Sequence, residues 1–127
     1  MIGSTRAVRV FAYTQPVDMR KSYNGLEGIV QNELGRDLMQ GDVFLFSGRD
    51  HKRAKVLLFD GTGLCIYMKR MSKGRFSPLR ASDDGSGEVR MTMSELALFL
   101  EGSELVGRRG LSPPALMLKE LAPYRRA

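Results

Sequence analysis

The sequence predicts one α+β domain: a mainly antiparallel β-sheet, one long helix packed on it, and short helices toward the C-terminus. Three observations lead there. Short apolar runs bounded by turn residues recur at 8–13, 43–47, 54–59, 64–69 and 88–93. One stretch, 18–34, has helical spacing. Asp60-Gly61-Thr62-Gly63 joins two of the apolar runs as a hairpin turn. A chain of 127 residues can bury a core without metal or disulfide staples and is short for a second independent domain. The domain is expected over 1–102, with 103–127 forming a linker and one short helix.

The elements follow in order. "VRVFAY" alternates Val8, Val10 and Ala12 with Arg9, Phe11 and Tyr13 as a strand that Pro16 stops. From Asp18 to Leu34, Met19, Tyr23, Leu26, Val30 and Leu34 fall three or four apart and line one side of the long helix. Either Asp18 or the pair Asn24 and Glu27 caps its start, and Gly35 stands as its C′ residue. Gly25 and Gly28 each cost such a helix about 1 kcal/mol relative to Ala, which a closely passing backbone would justify. "VFLFS" is apolar on both faces, as an interior strand covered on two sides should be. In the hairpin, a two- or four-residue connection pairs Leu57 with Ile66, Val56 with Tyr67 and Ala54 with Lys69, whereas three residues would swap the faces. "EVRMTM" reads as a strand with one wet face. Thr92 and Glu95 form a capping box for "LALFLEG", which ends near Gly102. Met68, Met91 and Met93 are read as core fill. Ser112 and Pro113 start a last helix through Leu121.

Charge is the most informative feature. The net charge is +6, and residues 49–75 supply all of it: eight bases stand there against Asp50 and Asp60, while the remaining segments together are neutral. The eight are Arg49, Lys52, Arg53, Lys55, Lys69, Arg70, Lys73 and Arg75. Folding the hairpin gathers "RDHKR" and "KRMSKGR" at its open end. So concentrated a field attracts polyanions. Tyr13, Tyr67 and Phe76 are candidates to stack on unpaired bases; Tyr13 and Tyr67, as strand residues, are read first as structural, whereas Phe76 follows directly on Lys73 and Arg75 and fits either role.

Catalytic chemistry finds little support. One cysteine, Cys65, allows no internal disulfide, and with the sole histidine, His51, it cannot close a structural zinc site. His51 reads as an exposed loop residue and Cys65 as a packed mid-strand residue. Asp60 is explained as a turn residue, Asp18 and Glu27 as caps, and Asp83 with Asp84 as loop residues. "GTG" and "GSG" lack the lysine and hydroxyl of a phosphate loop. No cofactor and no metal are expected. The start of the sequence has no apolar signal region and no apolar run approaches a membrane span, so a cytoplasmic protein is expected.

"TQPVDMRKSYNGLEGIV", "VFLFSGRDHKRAKVLLFDGTGLCIYMKRMSKGRF" and "MSELALFLEG" together resemble the small accessory protein, called TnpB or Orf2, of the sixty-six family of bacterial insertion sequences. The likeness runs from Val8 to Gly102. Its most specific parts are Asp18-Met19-Arg20-Lys21 with Gly25-Leu26, and Asp60-Gly61 through Lys69-Arg70 to Gly74-Arg75-Phe76. The chain departs from the family at Leu58, Phe59 and Ser77, where tryptophan is common, and at Ser72, where an acid is common. The resemblance implies DNA transposition beside a separately encoded transposase. The expected function is therefore a non-catalytic accessory factor that binds nucleic acid through the eight cations, with Arg20 and Lys21 as additions. DNA, at transposon ends or without sequence preference, and the transposase of the same element are the expected partners, with no membrane and with self-association left open. The alternative is a protein-interaction module that docks on the transposase or on itself without touching DNA.

Overall fold

The apolar runs assemble into one five-stranded sheet of order β4-β3-β2-β1-β5, as seen in a computed structural model that describes residues 8–79 and 85–102. The strands are β1 (Val10–Tyr13), β2 (Val43–Ser47), β3 (Arg53–Phe59), β4 (Leu64–Arg70) and β5 (Glu88–Met91). The helices are α1 (Tyr23–Gly28) and α2 (Met93–Leu100). The last helix expected beyond Ser112, the linker before it and the loop at 81–84 lie outside the described residues.

The α+β class holds, but two of its particulars are corrected. The sheet is mixed: β1 runs parallel to β2, while β1–β5, β2–β3 and β3–β4 are antiparallel. Parallel neighbours need a crossover, and the segment between Tyr13 and Val43 supplies one through α1. The long helix is in fact two short pieces, α1 followed by a π-helical turn over Ile29–Glu33 in which Leu34 N–H donates to the Ile29 carbonyl at 3.1 Å. It also begins later than Asp18. That carboxylate accepts from the Arg20 N–H at 2.9 Å and its carbonyl accepts from Lys21 N–H at 3.0 Å, closing a separate turn. Ser22 occupies the N-cap position and makes no side-chain cap bond, and Asn24 lies inside the helix. Neither glycine has a neighbouring backbone as its nearest contact. The atoms nearest a side chain at Gly25 belong to Lys21, and Gly28 faces only Asn32.

Two cores cover the sheet, one on each face, because the strand pleat sends alternate residues to opposite sides. Leu26, Val30, Leu38, Val17 and Met19 pack on Phe11, Phe44, Phe46 and Leu57. Across the sheet, Leu96, Phe99 and Phe76 cover Val10, Ala12, Val43, Leu45, Ala54 and Val56. β2 is buried along its whole length, as its two apolar faces require. Tyr23 departs from the expected helical stripe and is exposed, while Leu34 packs against the core and Gly35 takes the left-handed conformation (φ 63°) that ends the segment. α2 has the predicted capping box: Thr92 Oγ1 accepts from Glu95 N–H at 3.0 Å, and Glu95 Oε1 accepts from Thr92 N–H at 2.8 Å. Because Thr92 opens that cap, β5 ends at Met91. Met93 is consequently half-exposed on the first turn of α2, and Met68 is half-exposed on β4, so only Met91 of the three is core.

Candidate nucleic-acid interface

One end of the sheet collects nearly all the connecting loops of interest. β1, β2 and β4 finish there and β3 and β5 begin there, so the 14–22 loop, the 48–52 turn and the 71–79 segment are neighbours. The hairpin pairs Leu57 with Ile66, Val56 with Tyr67, Ala54 with Lys69 and Arg53 with Arg70, the register of a four-residue connection. Asp60 holds that connection closed: its Oδ1 accepts from Thr62 N–H and Gly63 N–H, each at 2.9 Å, and from Thr62 Oγ1 at 3.0 Å. Those bonds, the Thr62 N–H first, hold its carboxyl down to about 2. At the open end Met71 N–H donates to the Lys52 carbonyl at 2.8 Å and Phe76 N–H to the His51 carbonyl at 2.7 Å. The two basic runs are thereby laid side by side on one rim.

The pleat then divides their side chains. Arg49, Lys52, Arg70, Lys73 and Arg75 are exposed, and none of these five side chains has a hydrogen-bond or ion-pair partner among the described residues. Arg53 is half-buried and pairs with Asp50 at 3.3 Å. Lys55 turns inward beneath the 14–22 loop and is buried, its Nζ donating to the Lys21 carbonyl at 2.6 Å. Lys69 turns to the other face, where its Nζ donates to the Leu100 carbonyl at 2.6 Å, at the C-terminal end of α2. A cation there satisfies a carbonyl that the helix leaves open and opposes the negative end of its dipole. Arg20 lies at the same end of the sheet with an exposed side chain, locked to Asp18 by bonds of 3.0 and 2.8 Å, and Lys21 is exposed beside it. The Arg20 side chain is the main reason the Asp18 carboxyl sits well below the usual range.

Other expected contacts are placed differently. Phe76 is buried and stacks on Phe99, ring centroids 5.0 Å apart and 10° from parallel, so it anchors the basic loop in the core and is closed to a base. Tyr13 is half-buried against Phe46, whereas Tyr67 is exposed on the same face of β4 as Lys69. His51 is half-buried rather than exposed, in a left-handed conformation (φ 60°), with Nδ1 buried and unpartnered among the described residues. Cys65 stands beside the hairpin turn, its Sγ 3.5 Å from Asp60 Oδ2, and burial pushes the thiol up. It is therefore at the far end of β3 from His51, and the two form no pair. Among the described residues no group of three His, Cys, Asp or Glu side chains is arranged to hold a metal, and no helix is long and apolar enough to cross a membrane.

Two features escape sequence reasoning. The first is a set of arginines around Phe11, in which the Arg36 guanidinium lies 3.7 Å from the ring centroid and grips Glu88 with bonds of 2.9 and 2.6 Å. Arg9 similarly grips the buried Asp42 at 3.1 and 2.9 Å. These pairs tie β5 to the segment after α1, and β1 to β2. In the sequence Arg9 reads only as one member of an alternating strand. The second is a depression of about 340 Å³ between residues 16–20 and the start of β3, with Arg20, Arg49 and Arg53 on its walls. Its halves are some thirty positions apart in sequence, and no local pattern joins them.

A small α+β domain with its excess charge gathered at one end of a mixed sheet is the class that fold and rim define. The chain belongs to the IS66 Orf2-like protein family, which it matches over residues 8–109, and this family ties it to transposition. It is 33% identical over 102 residues to the uncharacterized protein y4jC of Sinorhizobium fredii (strain NBRC 101917 / NGR234), spanning 80% of this chain and 85% of that one. It is 34% identical over 102 residues to the uncharacterized protein y4hO of the same strain, spanning 80% and 86%. No solved structure matches the chain.

Proposed function

We propose that this protein is a non-catalytic accessory factor in DNA transposition, which binds nucleic acid through the rim at the open end of the β3–β4 hairpin and assists a separately encoded transposase. One observation carries the reading: five exposed cations, Arg49, Lys52, Arg70, Lys73 and Arg75, share that rim without internal partners among the described residues. Like charges held together at this density repel one another, and a polyanion relieves the repulsion. Contacts of this kind go to phosphates and position the protein with little sequence readout. Five phosphate contacts give a log–log salt slope of about −4.5 on duplex DNA. An anisotropy titration at several salt concentrations measures it. A flat response removes the proposal.

A second reading rests on the sheet edge. β4 is an edge strand of seven residues that leaves Tyr67 and Met68 half-exposed, and such an edge can pair with a strand of a partner. Under this reading the protein docks on the transposase or on itself. Co-purification with the transposase at high salt, together with no DNA binding at low salt, favours it over the first.

A further inference from the structure

β4 forms one edge of the sheet, and the hydrogen bonds at its two ends fix which of its backbone groups face outward. At the turn Asp60 N–H donates to the Gly63 carbonyl at 3.0 Å, and at the open end Met71 N–H donates to the Lys52 carbonyl at 2.8 Å. Antiparallel pairs alternate between bonded and unbonded, so the bonded pairs between those limits are Leu58–Cys65, Val56–Tyr67 and Ala54–Lys69. Leu64, Ile66, Met68 and Arg70 therefore turn their N–H and C=O groups away from β3. No backbone among the described residues takes them up. An edge of this kind is usually blunted by a bulge, a proline or a charge in mid-strand. β4 has a one-to-one register, no proline, and no charge from Leu64 to Met68. Lys69 does not guard it either, because its ammonium is spent on the Leu100 carbonyl.

Charge selects both the occupant and its direction. Lys69 and Arg70 stand at the rim end of β4, and Asp60 stands at the turn end. A second β4 laid parallel would stack the two rims. Laid antiparallel, it sets each cationic end beside the turn of the other copy and keeps the rims apart. Only one antiparallel register engages all seven residues of both strands: Tyr67 faces Tyr67, Ile66 faces Met68, Cys65 faces Lys69 and Leu64 faces Arg70. In that register the outward-turned residues meet one another, as bonded pairs must, and no cation opposes a cation. Tyr67 falls in the unbonded pair at the centre, where facing side chains come closest. The two half-exposed apolar residues of the strand, Tyr67 and Met68, are thus the ones that self-pairing covers at its middle. Tyr67 closes the contact on the α2 side of the sheet, and Ile66 with Met68 closes it on the α1 side.

We propose that β4 pairs antiparallel with β4 of a second copy of this chain, about a two-fold axis at Tyr67, and so joins the two sheets into one. The inference rests on the sheet-edge reading above and narrows its partner to the chain itself. It leaves one rim at each end of the shared strand pair, facing away from each other.

The test is sedimentation of the full chain over a range of concentrations, at high salt and without nucleic acid, which shows a monomer passing to a dimer. Because position 67 faces itself, Tyr67→Lys and Tyr67→Glu each weaken the dimer by about tenfold, and an equimolar mixture of the two regains it as a mixed pair. Backbone amide exchange gives a second readout: Ile66 and Met68 are protected in the dimer and exchange fast in Tyr67→Lys. A dimer that the Lys and Glu mixture does not restore has its contact elsewhere, which overturns the proposal. A monomer at every concentration with fast exchange at Ile66 and Met68 also overturns it, while the edge stays open to a strand of the transposase. A monomer with those two amides protected means that another segment of the same chain covers the edge, and the sheet-edge reading falls with the proposal.

Discussion

Asp60 shows how one residue sets the geometry on which the rim depends. With three donors on a single oxygen, its ionised form is favoured in the folded chain, and the carboxyl falls from its ordinary 3.8 to about 2. A depressed acid stabilises the fold fully above its unfolded value, and that contribution is lost as pH drops through the folded one. Urea denaturation therefore shows stability falling as the pH goes from about 4 to about 2, with Asp18 acting in the same direction. Asp60→Asn keeps an acceptor for the turn and retains most of the stability at neutral pH, but loses this residue's share of the acid sensitivity. Asp60→Ala loses both. If Asp60→Ala is as stable as the parent at neutral pH, the turn does not hold the hairpin in register.

At the scale of the element, α2 is secured at both ends and along its inner side. Thr92→Ala removes one half of the capping box and costs about 1 kcal/mol in a thermal or urea melt. Phe99→Ala empties a fully buried site and deletes the stack on Phe76, at a cost of about 3–5 kcal/mol. Because Phe76 ends the basic loop, the second change also raises amide exchange across 71–76, whereas Thr92→Ala leaves that segment protected. Lys69 belongs to this element more than to the rim. Lys69→Gln lowers stability by about 1 kcal/mol through the lost bond to the Leu100 carbonyl, and the salt slope of DNA binding stays unchanged.

For the whole molecule, the rim acts as a field to which each exposed cation adds. Arg70→Glu weakens binding on any DNA sequence and reduces the magnitude of the salt slope by about 1, with an unchanged urea midpoint, because its side chain has no internal partner among the described residues. A sequence-dependent loss in the same titration contradicts positioning contacts. The inner counterpart is the pairing of Arg9 with the buried Asp42. Arg9→Ala leaves that carboxylate short of its bidentate donor and lowers stability by about 2 kcal/mol while DNA affinity holds, since Arg9 lies at the opposite end of β1 from the rim.

Much of this protein is written in neighbouring residues. The hairpin register, the two buried faces of β2, the capping box of α2, the turn at Gly35 and the concentration of charge in 49–75 all follow from patterns spanning a few positions, where period, cap and turn chemistry act locally. Helix length was only partly legible, because Asp18 found a better use for its carboxylate in binding Arg20 than in capping a helix. Only the tertiary structure decided that β1 lies parallel to β2, that Lys55 and Lys69 end on backbone carbonyls, that Phe76 stacks in the core, and that Arg20, Arg49 and Arg53 line one depression. These outcomes depend on which layer covers each face of the sheet, and packing between segments distant in sequence settles that. A lysine at the end of a strand looks the same in sequence whether water or a helix terminus waits on its side of the pleat.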